Sequence, residues 1–225
     1  MTLVFLLFMS AAALAGKEKA EPLQRLDEAA AVFQEIMATP DRSIPQDLLD
    51  KAQCIVIVPG LKKGAFILGG KYGKGYISCR KKGDGWSAPG TVRVEGGSVG
   101  FQIGGSASDV IMLVMNERGV NKLLSSKFTL GGEGAVAAGP VGREATAQTD
   151  ALMHAEILSW SRTQGLFAGL SLQGATLRQD LSDNAVIYGR KITNKDIVQS
   201  SMPVPNAAKG LISLLNKHSA AKDSN

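Results

Sequence analysis

Apolar residues recur at helical spacing near the start of this chain and at strand spacing through its middle. Leu23, Leu26, Ala30, Phe33 and Met37 fall three or four apart between polar positions, so the spacing predicts an amphipathic helix over Glu21 to Ala38, stopped by Thr39-Pro40. A shorter helix is predicted over Pro45 to Ala52, with proline in its first turn and Asp47 near the positive end of the dipole. Then the period changes. Cys54 to Val58 is a continuous β-branched run closed by Pro59-Gly60, the pattern of a strand buried on both faces. Further strands are predicted over Ala65 to Leu68, Gly75 to Arg80, Thr91 to Val94, Val99 to Ile103 and Val110 to Met115, with a short helix over Glu117 to Ser125. Later strands follow at Gly134 to Ala138, Glu144 to Gln148, Ala155 to Ser161 and Phe167 to Leu172. Helices are predicted at Leu177 to Ala185 and Val204 to His218.

Strands in the centre and helices at the ends predict an α+β fold, a strongly bent antiparallel sheet or partial β-barrel with flanking N- and C-terminal helices. Glycine supports the bend, at 26 of 225 residues against a usual share of about 7%. The pairs Gly69-Gly70, Gly96-Gly97, Gly104-Gly105 and Gly131-Gly132 fit bulges or close backbone approach. Met1 to Leu14 is almost wholly apolar, Ala13-Leu14-Ala15 has the small-x-small form of a cleavage site, and the first charge is Lys17. These features predict a signal peptide over residues 1–15 and export to the periplasm or cell envelope, leaving 16–225 as one domain.

Charge adds the main functional cue. Between Leu61 and Lys82 stand Lys62, Lys63, Lys71, Lys74, Arg80, Lys81 and Lys82, with no acidic residue among them. Near an anionic bilayer each cation is worth about 1 kcal/mol over a Debye length of about 8 Å, so several acting together give reversible attachment. The bland alternative is that these side chains solvate strand edges and block edge-to-edge pairing. Trp86 follows a glycine turn beside this run, either dipping into a headgroup layer or plugging one end of the barrel. Net charge +5 also suits nucleic acid, but no groove-reading motif accompanies it, and nucleic acid is not expected as a partner. The predicted helix Glu21 to Ala38 carries Glu21, Asp27, Glu28 and Glu35 against Arg25, which suits core packing better than an anionic membrane.

Catalytic patterns are weak. Gly96-Gly97-Ser98-Val99-Gly100 matches G-x-S-x-G, but a strand rather than a helix is predicted after Ser98, and although Ser98, Asp150 and His154 follow the triad order, Asp150 and His154 are too close in sequence for that architecture. Gly69 to Gly75 lacks the phosphate-loop spacing, and Asp150, His154 and Glu156 make a poor metal set. No enzyme activity, metal or cofactor is expected. Cys54 and Cys79 lie on strands that could be neighbours, and two readings stand: a disulfide or buried free thiols.

An ordered set of motifs then narrows the class. Gly85 to Gly90 reads Gly-Trp-Ser-Ala-Pro-Gly and Gly96 to Gly105 reads Gly-Gly-Ser-Val-Gly-Phe-Gln-Ile-Gly-Gly. Ala137 to Arg143, Ser161 to Gly174, Asn184 and Tyr188-Gly189 follow. From about Leu48 to Val198 the chain resembles the SYLF domain family. The resemblance implies a non-enzymatic lipid-binding module, here an exported one on anionic phospholipid membranes. The alternative is an envelope scaffold or stress-related module whose partner is a protein.

Overall fold

The computed structural model describes residues 2–39, 43–81, 85–125, 127–132, 136–140, 155–163, 166–169, 172 and 174–219. Helix α1 (Thr2–Met37) leads to a short α2 (Gln46–Lys51), and then two very long strands follow, β1 (Cys54–Cys79) and β2 (Gly90–Val114). Helix α3 (Glu117–Leu123), β3 (Lys127–Thr129), β4 (Val136–Ala138), β5 (Ile157–Thr163), β6 (Leu166–Gly169) and β7 (Thr176–Gln179) complete the sheet region. Helices α4 (Leu181–Tyr188), α5 (Asn194–Gln199) and α6 (Lys209–His218) close the chain.

The organising element is the β1–β2 ribbon. The two strands pair antiparallel from Cys54 with Val114 to Ile77 with Gly90, interrupted by irregularities between Val58 and Leu61 and between Ala65 and Ile67. A straight strand as long as β1 would measure about 85 Å. Instead its two ends meet, because Cys54 and Cys79 are joined by a disulfide with their Cα atoms 3.9 Å apart. The ribbon therefore curls back on itself. Where it crosses, Gly75 lies directly over the backbone of its own strand: a Cβ there would stand 2.8 Å from Val58 Cα and 2.9 Å from the Ile57 carbonyl carbon. Only glycine allows that approach.

The remaining strands attach to the far edge of β2. Its first part, Val92 to Glu95, pairs with β7, and its last part, Asp109 to Val114, pairs with β5. The result is a seven-stranded curled sheet with β3 outside β7, and with β4 and β6 both on β5. All pairings are antiparallel except β4 on β5.

At the Cys54 end of the ribbon both faces of the sheet are buried, and the run from Cys54 to Val58 shows how. Ile55 and Ile57 point to one core with Ile111, Leu113, Leu158 and Trp160, covered by Leu26, Phe33 and Ile36 of α1 and by α2 and α6. Cys54, Val56 and Val58 point to the other, inside the curl, with Val92, Val94, Val110, Met112, Phe128 and Leu177. Alternate side chains serve opposite cores, so the run has no polar face.

Several expectations are corrected. The six strands predicted between Cys54 and Met115 are two, because Pro59-Gly60 does not end β1. Gly60 adopts φ +57° and its N–H donates to Asp109 Oδ1 at 2.9 Å, making a bulge inside the strand. Lys71 and Lys74 therefore lie within β1. Residues 176–179 form a strand rather than the start of a helix; the helix begins after Asp180, whose side chain accepts from the N–H groups of Ser182 and Asp183. Leu23, expected on the buried stripe of α1, is 41% exposed. The expected signal peptide lies within α1, and among the described residues no helix is long and apolar enough to cross a membrane. The strand expected over residues 144–148 lies outside the described residues.

Candidate lipid-binding surface

The structure divides the basic run into groups with different fates. Lys62, Lys63 and Lys71 lie on the outward bend of the β1–β2 ribbon, in strand rather than loop, with Lys62 exposed and the other two half-buried. Lys63 and Lys71 are eight residues apart in sequence, yet the bend brings them within electrostatic reach. The Lys63 pKa is lowered, first by burial and then by the charge of Lys71. None of these lysines forms an ion pair among the described residues. Tyr72, beside Lys71, is 48% exposed. It was missed in the sequence reading, although an aromatic residue inside a cationic run was the available signal.

Lys74, Arg80 and Trp86 are corrections to the expected lipid-facing set. Lys74 donates to Asp183 Oδ1 at 2.9 Å and forms an ion pair with Asp180 Oδ2 at 3.0 Å. That oxygen is buried, and Lys74 is the cation set against it. Burial pulls the Lys74 pKa down, but the two carboxylates outweigh it and the net shift is upward. Arg25 Nη1 also donates to Asp183, at 2.8 Å, which ties α1 to α4. Arg80 faces inward: its guanidinium donates to the carbonyls of Ala52, Leu49 and Ser219 and to the Ser219 hydroxyl, and it stacks 4.5 Å over the Trp86 ring. Trp86 is 2% exposed and its Nε1–H donates to the Ser219 carbonyl at 3.1 Å. It plugs the closed end of the ribbon. Lys81 stays partly exposed there, on a groove of about 790 Å³ lined also by Cys54, Cys79, Glu117 and Ser200. Lys82 lies outside the described residues.

The described hallmark residues Pro89, Gly90, Asn184 and Tyr188 have architectural contacts. Asn184 Oδ1 accepts from both the N–H and the hydroxyl of Thr91, at 2.9 and 2.7 Å, while its Nδ2 donates to Ile192 O and Asn194 Oδ1. Asn194 Nδ2 returns a bond to Thr91 O at 2.8 Å. This buried network fastens α4 and α5 to the start of β2, and Gly90 is required because a Cβ would stand 2.8 Å from Asn194 Cγ. Tyr188 donates to Pro89 O at 2.6 Å, and burial raises its pKa. Trp160 Nε1–H donates to Pro140 O at 2.9 Å. Ser98 sits within β2, paired with Gly69, so the strand-to-helix elbow of a hydrolase serine is absent there. Asp150 and His154 lie outside the described residues. Glu156 is held by Lys122 at 2.9 Å and Arg118 at 3.1 Å.

A second cleft opens between α1 and the bulge of β1. Its volume is about 530 Å³, and Glu21, Gln24, Arg25 and Glu28 line one wall while Lys62 and Tyr72 line the other, over a floor of Gly73 and Lys74. Glu21, Gln24, Glu28, Lys62 and Tyr72 are exposed along its rim.

These features define an α+β domain built on one curled ribbon, with three lysines on an outer bend that make no ion pair among the described residues. The chain belongs to the Ysc84 family, also called SYLF: residues 95–218 match the family described as "Las17-binding protein actin regulator". It is 37% identical over 176 residues to an SH3 domain-containing protein of Schizosaccharomyces pombe, covering 77% of this chain and 41% of that one. Protein YSC84 of Saccharomyces cerevisiae is 33% identical over 178 residues, covering 78% of this chain and 38% of YSC84. The human SH3 domain-containing YSC84-like protein 1 is 32% identical over 178 residues, covering 79% and 52%. The chain thus spans between two fifths and about half of the relatives it matches. The family description and the name of a further Saccharomyces cerevisiae relative, LAS seventeen-binding protein 3, refer to what is bound or regulated rather than to a reaction.

Proposed function

We propose that this domain attaches peripherally to anionic phospholipid membranes through Lys62, Lys63 and Lys71, with Tyr72 entering the headgroup layer. The observation that carries the reading is the convergence of Lys63 and Lys71 on the ribbon bend with no ion-pair partner among the described residues, beside an exposed aromatic ring. Two like charges held together are unfavourable in isolation, and an anionic surface relieves both at once. The reading includes export to the cell envelope, supported by the apolar Met1 to Leu14 stretch and the small-x-small site after it. It includes no catalytic step. A second reading, attachment to a protein partner, is favoured by the relatives' description as Las17-binding and actin-regulating.

Flotation with vesicles separates the two. Wild-type protein should float with phosphatidylglycerol-containing vesicles at low salt and be released at high salt. Lys62→Glu, Lys63→Glu and Lys71→Glu together should lower binding at least about 100-fold, the loss of about 3 kcal/mol for three surface cations. Unchanged flotation of that variant would remove the bend from the mechanism. Equal binding to neutral and anionic vesicles would remove the electrostatic basis altogether.

A further inference from the structure

The cleft beside the bend has a charge pattern that a purely anionic ligand does not fit. Glu21, Gln24, Arg25 and Glu28 recur at helical spacing on one side of α1 and face Pro59, Gly60, Lys62 and Tyr72 across the opening. Its two deeper cations are already neutralised, Arg25 by Asp183 and Lys74 by Asp183 and Asp180. What remains for a ligand is the Lys62 ammonium on one side and the Glu21 and Glu28 carboxylates on the other. Among the described residues Lys62 and Glu21 make no ion pair, and Glu28 is held in place by Gln24 Nε2 at 3.0 Å.

We propose that this cleft takes a zwitterionic headgroup, a phosphodiester linked to a primary ammonium as in phosphatidylethanolamine. The phosphate meets Lys62 and the ammonium meets Glu21 and Glu28, with Tyr72 packing along the ethyl link. A primary ammonium suits the site better than a quaternary one: carboxylates accept its N–H bonds, whereas a choline head favours a cage of several aromatic faces, and the cleft offers one. The cleft shares Lys62 and Tyr72 with the membrane-facing bend, so the inference rests on the membrane reading and adds headgroup choice to it.

The test holds the anionic fraction of vesicles constant and exchanges phosphatidylcholine for phosphatidylethanolamine. Wild-type binding should rise roughly fivefold, the scale of two rim-exposed ion pairs. In Glu21→Gln/Glu28→Gln that gain should vanish, while binding to the phosphatidylcholine-containing anionic vesicles rises because two repelling charges are gone. The opposite directions separate lost headgroup choice from a misfolded variant. Soluble glycerophosphoethanolamine, added without vesicles, should shift NMR resonances of Glu21, Glu28, Lys62 and Tyr72 more than glycerophosphocholine does. Equal response to the two soluble heads, or a full phosphatidylethanolamine gain in the double variant, would overturn the proposal. If vesicle binding proves independent of anionic lipid while the soluble heads are still discriminated, the membrane reading fails and the cleft stands.

Discussion

At its closed end the β1–β2 ribbon turns positive charge inward, and at its bend it leaves positive charge outside. Arg80 is satisfied by the carbonyls of Ala52, Leu49 and Ser219 and by the face of Trp86, so it locks α2 and the end of α6 onto the ribbon. Lys62, Lys63 and Lys71, on the same strand, have no such partners among the described residues. Lys74 stands between these extremes, anchored by carboxylates more than a hundred residues away in sequence. A cation-rich segment is therefore not a surface by composition alone; what decides is whether the fold returns carbonyls or carboxylates to each side chain.

The sharpest way to break the comparison is at the crossing that creates both ends. Gly75→Val would press a branched side chain into the Ile57–Val58 backbone, and backbone on both sides leaves little room to relax. The expected loss is about 4 kcal/mol or more, with Tm falling by at least about 8 °C in thermal unfolding followed by circular dichroism. A near-normal Tm would mean that the ribbon does not cross itself there.

Next in size is the staple at the same place. The Cys54–Cys79 disulfide closes a loop with a sequence separation of 25, so Cys54→Ser/Cys79→Ser should cost about 3 kcal/mol by restoring freedom to the unfolded chain. The same loss should follow addition of a dithiol reductant to the wild type, and reductant should leave the Tm of the double variant unchanged. Because the bend lies far along the ribbon from the staple, anionic vesicle binding at a temperature where the variant stays folded should change little. A parallel loss of binding would show that the two ends are not independent.

Much of the architecture was legible in local pattern. The 3.6-residue spacing marked α1 and α6, and the unbroken Cys54 to Val58 run announced burial on two faces, which the two cores bear out. The failures were of a different kind. The breaks expected between the six predicted strands do not occur: Gly69-Gly70 and Gly96-Gly97, which fit bulges or close approach, lie inside continuous strands, where Gly70 pairs with Gly97 and Gly64 with Gly105. Glycine opposite glycine bends a continuous ribbon where single-strand reading expects it to stop. The role of Lys74 was hidden, and the two readings of Trp86 stayed open until its burial decided for the plug, because the partners Asp180, Asp183 and Ser219 arrive through tertiary contacts that no local window contains. The hallmark motifs were recognised as a set, but their work in fastening β2 to α4 and α5 required the hydrogen bonds of Asn184 and Asn194.

The smallest expected effect tests the comparison within a single strand. Lys63 and Lys74 are both half-buried on β1, but the Lys63 pKa is lowered by burial and by Lys71, and that of Lys74 is raised by Asp183 and Asp180 against burial. The linkage signs are therefore opposite. Lys74 contributes stability that is present below the ordinary lysine pKa of about 10.4 and lost as pH rises through its folded value, whereas protonated Lys63 opposes folding and its penalty lifts as pH climbs through its lowered one. Isotopically labelled dimethyl-lysine NMR should show Lys63 titrating below Lys74. Lys71→Ala should move Lys63 upward without restoring the ordinary value, since burial is the larger cause, and should leave Lys74 in place. Adding anionic vesicles should move Lys63 upward as well, because a negative surface favours its charged form. A Lys63 resonance indifferent to both changes would mean that the bend does not gather its charges, and the contrast with the closed end would reduce to one of burial.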